Sequence, residues 1–255
     1  MRAMETQSFF SDGIELAYVD PGGGEPILLI HGFASNLRVN WGSTGWIDTL
    51  IDAGRRVIAM DVRGHGESEK LYDPEQYRVE FMARDAANLI RYLGLRRADV
   101  MGYSMGARIT AFLAARSPET VRSAILGGLG MALVDGVTGG DAIVAALEAP
   151  SLAAVQGEPG RAYRKFAEQT RSDLRALAAC MTVARETMPA ATLATLGMPV
   201  LVAVGEKDAV SGSGPELAAL IPGAESLVIP NRDHMLATGA ALYKEGVLTF
   251  LKHRP

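Results

Sequence analysis

Cysteine is almost absent from this 255-residue chain, where Cys180 stands alone. A single thiol makes neither an internal disulfide nor a cysteine-based zinc site, which leaves the role of a small buried apolar side chain. An excess of positive charge is also missing. The 25 Lys and Arg face 29 Asp and Glu, so the electrostatic footprint of a nucleic-acid binder is lacking. Short basic clusters such as Arg96-Arg97 and Lys252–Arg254 read as solvated surface. No stretch reaches the ~18 unbroken apolar residues of a membrane span. The first residues lack the apolar run of a signal peptide, so a cytoplasmic location is expected. The nearest approach to a dinucleotide fingerprint, Gly64-His65-Gly66, lacks the third glycine before a helix.

Apolar residues make up 48% of the chain, enough for a large core. Short apolar runs alternate with longer helical patterns, as in a parallel sheet with crossover helices. Asp12-Gly13 marks a hairpin between Ser8–Phe10 and Ile14–Val19. Continuous apolar runs at Ile27–Ile30, Arg56–Met60, Ala98–Met101, Val121–Leu126, Val200–Val204 and Ser226–Ile229 suit strands buried on both faces. Helical patterns cover Trp46–Ala53, Val79–Leu93, Met105–Ala115 and Ala240–Leu251. Residues 131–189 differ, being Gly-rich at first, then Ala-rich and helical, with no good strand. The expected organisation is an α/β core from 1–130 and 190–255, with 131–189 inserted as a small helical cap.

Gly102-Tyr103-Ser104-Met105-Gly106 fits a tight strand-to-helix turn that presents a serine. The motif is short enough to arise by chance in a chain with 28 glycines. Its context is what counts: an apolar strand precedes Ser104 and an Ala-rich helix follows. A serine hydroxyl needs a base, and His234 follows the last strand, late in the chain. The imidazole needs a carboxylate, and Asp208 immediately follows a strand, one element before His234. Asp135 is an alternative acid, Glu206 lies nearby, and Asp233 is too close in sequence to curl onto the ring. The backbone N–H groups of Met105 and Phe33 are the expected oxyanion donors. His31 and His65 read as loop braces, and His253 as solvated.

These segments together resemble the α/β-hydrolase family from Ile14 to the C-terminus. The resemblance rests on His31-Gly32-Phe33, on Asp61-Val62-Arg63-Gly64-His65-Gly66-Glu67-Ser68, on Gly102–Gly106, on Gly205-Glu206-Lys207-Asp208 and on Asp233-His234. It implies a mostly parallel central sheet flanked by helices, with Asp61, Arg63 and His65 supporting the floor of the site. Dehalogenases and epoxide hydrolases of this fold carry Asp at the elbow, which Ser104 argues against. Carbon–carbon bond hydrolases often carry Asn where Tyr103 stands. The implied activity is hydrolysis of small to medium, largely apolar carboxylic esters, with no metal or organic cofactor required. Lactone, thioester or C–C bond hydrolysis uses the same triad, and a ligand receptor on this scaffold is a further alternative. The implied partner is a small ester-like molecule.

Trp41 and Trp46 lie in the loop after His31 and are expected to plug it to the core, the alternative being a pocket wall. Apolar residues of the 131–189 segment, Met131 and Met181 among them, are expected to pack, with some facing the serine. Arg161, Arg164, Lys165, Arg171 and Arg175 are expected on solvated helix faces, the alternative being a substrate carboxylate.

Overall fold

The computed structural model describes residues 4–254; the first three residues, part of the segment read for a leader, and Pro255 lie outside the described residues. Eight strands form one sheet in the order β1-β2-β4-β3-β5-β6-β7-β8. They are β1 (Gln7–Ser11), β2 (Ile14–Val19), β3 (Glu25–Ile30), β4 (Arg55–Met60), β5 (Ala98–Tyr103), β6 (Val121–Gly127), β7 (Val200–Gly205) and β8 (Glu225–Ile229). The β1–β2 hairpin pairs antiparallel, and β2 pairs antiparallel with β4. All other neighbours run parallel. The sheet is therefore mostly parallel, in line with the apolar runs of its inner strands, whereas β8, expected to be buried on both faces, is an edge strand and largely exposed.

Alternation along the strands divides the core between two faces. Leu28, Ile30, Ile58, Met60 and Val100 point to one side, where α2 (Val79–Tyr92) and α3 (Met105–Arg116) pack. Ile27, Leu29, Val57, Ala59 and Met101 point to the other, toward α1 (Trp46–Asp52) and the closing helix Ala241–His253. Helix α3 buries ten of its twelve residues, which makes it the central helix behind the serine. Trp41 and Trp46 are fully buried, and the Trp46 indole N–H donates to the Thr238 carbonyl at 2.7 Å. They plug the loop and line neither cavity beside the serine.

Between β6 and β7 lie α4 (Ala132–Asp135), α5 (Gly140–Glu148), α6 (Gly160–Gln169), α7 (Leu174–Val183) and α8 (Ala190–Leu193). Among the described residues this stretch holds no strand. Leu133, Ile143, Leu147, Leu177, Cys180 and Met181 join the apolar cluster behind α3, so these helices share the main core. One expectation is corrected here. Arg164 is buried, not solvated, because its guanidinium donates to the carbonyls of Ala146, Leu147 and Ala149 where α5 ends. A cation there satisfies carbonyls that the helix leaves unpaired. Arg161, Lys165, Arg171 and Arg175 are exposed as expected.

A buried ion pair ties α2 to the loop after β4. Arg63 Nε and Nη2 donate to the two Asp85 oxygens at 2.7 and 2.8 Å, and Ser11 Oγ donates to Asp85 Oδ1 at 2.6 Å. Removing one partner leaves the other charge buried and uncompensated. Asp85→Ala is expected to cost about 3–5 kcal/mol in urea unfolding, while an exposed carboxylate change such as Glu75→Ala costs less than about 0.5 kcal/mol.

Candidate active site

The serine turn is built by steric exclusion. Ser104 sits at φ 54°, ψ −113°, a strained conformation for a residue with a Cβ. A Cβ on Gly102 would overlap the Gly106 backbone, and a Cβ on Gly106 would overlap the Ile30 carbonyl. Only glycine at both positions lets α3 begin directly behind β5 and against β3. The Ser104 N–H donates to the Gly127 carbonyl at 2.8 Å, which anchors the turn to β6.

Two further loops at the same end of the sheet converge on this serine. Asp208 follows β7, and His234 follows β8. His234 stands in a turn, seven residues before the closing helix begins at Ala241. The His234 Nε2 lies 3.0 Å from Ser104 Oγ, and its Nδ1 lies 2.8 Å from Asp208 Oδ2. A proton on Nδ1 would leave Nε2 free to accept the serine proton. Burial works against the Asp208 carboxylate, but hydrogen bonds from His234, Ser211 and the Val210 N–H outweigh it and hold its pKa below the usual value.

The rival acids stand elsewhere. Asp233 accepts the N–H groups of Met235 and Leu236 and caps its own turn. Glu206 accepts the Asn231 N–H. Asp135 is exposed and reaches the wall of a cavity rather than the imidazole.

Ser104 lies between two cavities. The larger, about 410 Å³, is lined by Phe33, Met105, Arg108, Met131, Ile143, Met181 and Arg185 among others. The smaller, about 140 Å³, is lined by Gly32, Asn40, Tyr103, His234 and Thr238 among others. Phe33 and Tyr163 border both. Met105 is the first residue of α3, where a backbone N–H has no partner within the helix. Gly32 sits close enough that a Cβ on it would lie 3.5 Å from Ser104 Cβ, so the Phe33 loop runs against the serine.

Beneath the site, His31 and His65 are fully buried. Burial lowers the His31 pKa to about 4 and, aided by His31, the His65 pKa to about 3. His31 Nε2 accepts the Val62 N–H at 3.0 Å, which requires an unprotonated nitrogen there. The 3.8 Å approach of Asp61 to His31 is accordingly not an ion pair. Burial raises the Asp61 pKa to about 6, although the Leu37 and Glu67 N–H groups favour its charged form. These groups brace loops and lie outside the serine's hydrogen-bonded chain. Among the described residues no group of three or more His, Cys, Asp or Glu is placed to hold a metal ion.

A family model for the alpha/beta hydrolase fold matches residues 25–192. The chain belongs to the alpha/beta hydrolase fold family. Among curated relatives it is 30% identical over 252 residues to a dihydrolipoyllysine-residue acetyltransferase component of an acetoin cleaving system from Pseudomonas putida, covering 90% of this chain and 64% of that protein. It is 34% identical over 112 residues to the pig (Sus scrofa) bifunctional epoxide hydrolase 2, covering 44% of this chain and 20% of that protein. The chain thus spans less than two thirds of the length of these relatives. Among solved structures, a hydrolase from Pseudomonas aeruginosa PA01 superposes with TM-score 0.81 at 24% identity, covering 96% of this chain and 98% of that one, which shows the shared fold.

Within this alpha/beta hydrolase, sequence reasoning missed three residues around the serine. Ser211 Oγ donates to Asp208 Oδ2 at 2.6 Å and lies 3.2 Å from His234 Nδ1. Asn40 Oδ1 accepts the Gly32 N–H at 3.0 Å, which fixes the backbone just before Phe33. Tyr103, buried beside the imidazole, donates its hydroxyl to the His234 carbonyl. The position of Tyr103 inside the turn motif was a usable signal; Ser211 and Asn40 carried none. The clash at Gly106 gives a direct check. Gly106→Ala is expected to lose about 1–3 kcal/mol or more of stability in chemical unfolding, because its Cβ meets a β3 carbonyl that cannot swing away.

Proposed function

We propose that this chain is a serine hydrolase cleaving small to medium, largely apolar carboxylic esters through an acyl-enzyme. The observation that carries the proposal is the unbroken chain from Ser104 Oγ through His234 to Asp208, with distances of 3.0 and 2.8 Å, beside a largely apolar cavity. His234 Nε2 takes the Ser104 proton as Oγ attacks the ester carbonyl. Asp208, kept ionised by its hydrogen bonds, holds the proton on Nδ1 and stabilises the imidazolium. The N–H groups of Met105 and Phe33 receive the oxyanion. His234 then protonates the departing alcohol and activates the water that releases the acid. Ser211 and Asn40 act as positioning residues, one on the carboxylate and one on the oxyanion loop.

The two cavities flanking Ser104 give separate room to the acyl and alcohol parts. Residues 131–189 serve as the cap, with Ile143, Tyr163 and Met181 facing the substrate. The names of the relatives span epoxide and acyl-group chemistry, so the bond type is inferred from the elbow itself. A serine there suits an acyl carbonyl. The cytoplasm is the proposed location.

The test is hydrolysis of a p-nitrophenyl ester series from acetate upward. Ser104→Ala is expected to lower kcat by at least about 10³-fold, because triad members act as one unit. Near-normal turnover by that variant would remove Ser104 from the chemistry. Failure of the folded wild type on every ester would shift the bond cleaved to a lactone, thioester or C–C bond.

A further inference from the structure

The larger cavity contains a charge that ester cleavage does not use. Arg108 lies one helical turn past Ser104 on α3, is 4% exposed and lines that cavity. Its Nη1 donates to the Glu186 carbonyl, and its Nη2 to the Ala132 carbonyl at 2.9 Å. Among the described residues, no carboxylate reaches its guanidinium at salt-bridge distance. Buried cations are ordinarily paired with acids. Burial, with Arg185 nearby, lowers the Arg108 pKa to about 10, which still leaves it charged at neutral pH.

A second guanidinium shares the cavity. Arg185 is about one-quarter exposed, and its Nε donates to the Met181 carbonyl at 3.2 Å. A Cβ on Gly140 would overlap the Arg185 guanidinium, so this glycine in the cavity wall leaves the space that the cation fills. Of the neighbouring acids, Asp141 pairs with Arg185 at 3.6 Å from a fully exposed position, where solvent screens the attraction. The Glu186 carboxylate attracts Arg108 from beyond ion-pair distance, while it accepts the Val79 N–H and faces Arg78. Asp135 is exposed where it reaches the cavity. Arg108 and Arg185 line the same mostly apolar cavity, and the charge of Arg185 acts against that of Arg108, a repulsion that a bound anion would relieve.

We propose that Arg108 and Arg185 bind a carboxylate on the substrate, so that the preferred ester carries an otherwise apolar acyl chain ending in a carboxylate. This rests on the esterase reading of Ser104.

The experiment compares mono-p-nitrophenyl glutarate with p-nitrophenyl pentanoate, which has the same chain length and no charge. The wild type is expected to prefer the glutarate at least ten-fold in kcat/KM. Arg185→Gln and Arg108→Gln are expected to lower that ratio at least ten-fold, mainly through KM, with Arg185→Lys restoring part of it. If Arg108→Gln does not fold, the partly exposed Arg185 carries the test. Equal losses on both esters, with the ratio unchanged, would make the arginines mere latches on the helices and overturn the proposal. Turnover of both esters by the wild type without preference would overturn it and leave the esterase reading standing. If neither ester is cleaved, calorimetry with glutarate alone separates the two ideas. Binding that weakens at least ten-fold in Arg185→Gln keeps the carboxylate site while the esterase reading falls; absence of binding sinks the site.

Discussion

The architecture around the catalytic candidates depends on one tight turn. Ser104 is held at positive φ because the chain on either side is pressed against backbone: Gly102 against Gly106, and Gly106 against the end of β3. Such strain persists only where the surroundings over-determine it. Here they do, since α3 is buried on nearly all sides and the Ser104 N–H is bonded to β6. The turn lifts Oγ above the sheet and leaves the first N–H of α3 beside it. Every other feature of the site is arranged around that fixed point.

Parallel strands make the arrangement possible. Because β5, β7 and β8 run in the same direction, the loops that follow them emerge at the same edge. Ser104, Asp208 and His234 are 104 and 26 positions apart in the order Ser–Asp–His, yet their side chains form one hydrogen-bonded chain. Support comes from neutral or internally satisfied groups. The buried imidazoles of His31 and His65 stay uncharged, which avoids placing a bare cation beneath the serine.

Much of this was legible in the sequence, for identifiable reasons. A strand such as β7 is buried along its whole length, so it reads as an unbroken apolar run. The turn motif is legible because sterics restrict it to glycine. What escaped was set by distant chain segments. Arg108 looks like an ordinary polar position on a helix; its burial depends on residues 132 and 186 folding over it. Arg164 looks solvated until α5 ends against it. Ser211 reaches the Asp208–His234 pair only because the loop after β7 turns back on itself. The short helix Gly214–Ala219 had too few periodic positions to stand out. Trp46, by contrast, lies where a large aromatic with a reachable carbonyl is most stable, inside the core, and Trp41 packs edge-on against it with its indole N–H unpartnered.

The central claim is that His234 and Asp208 activate Ser104 as a nucleophile. The most direct measurement is covalent labelling with an alkyl fluorophosphonate, followed by peptide mass spectrometry. The serine oxygen bonds to phosphorus, fluoride leaves, and the base takes the proton. The expected result is one adduct per chain, on Ser104, with labelling slowed by at least about 10²-fold in His234→Ala. Labelling spread over surface serines, or an unchanged rate on Ser104 without His234, would contradict the account.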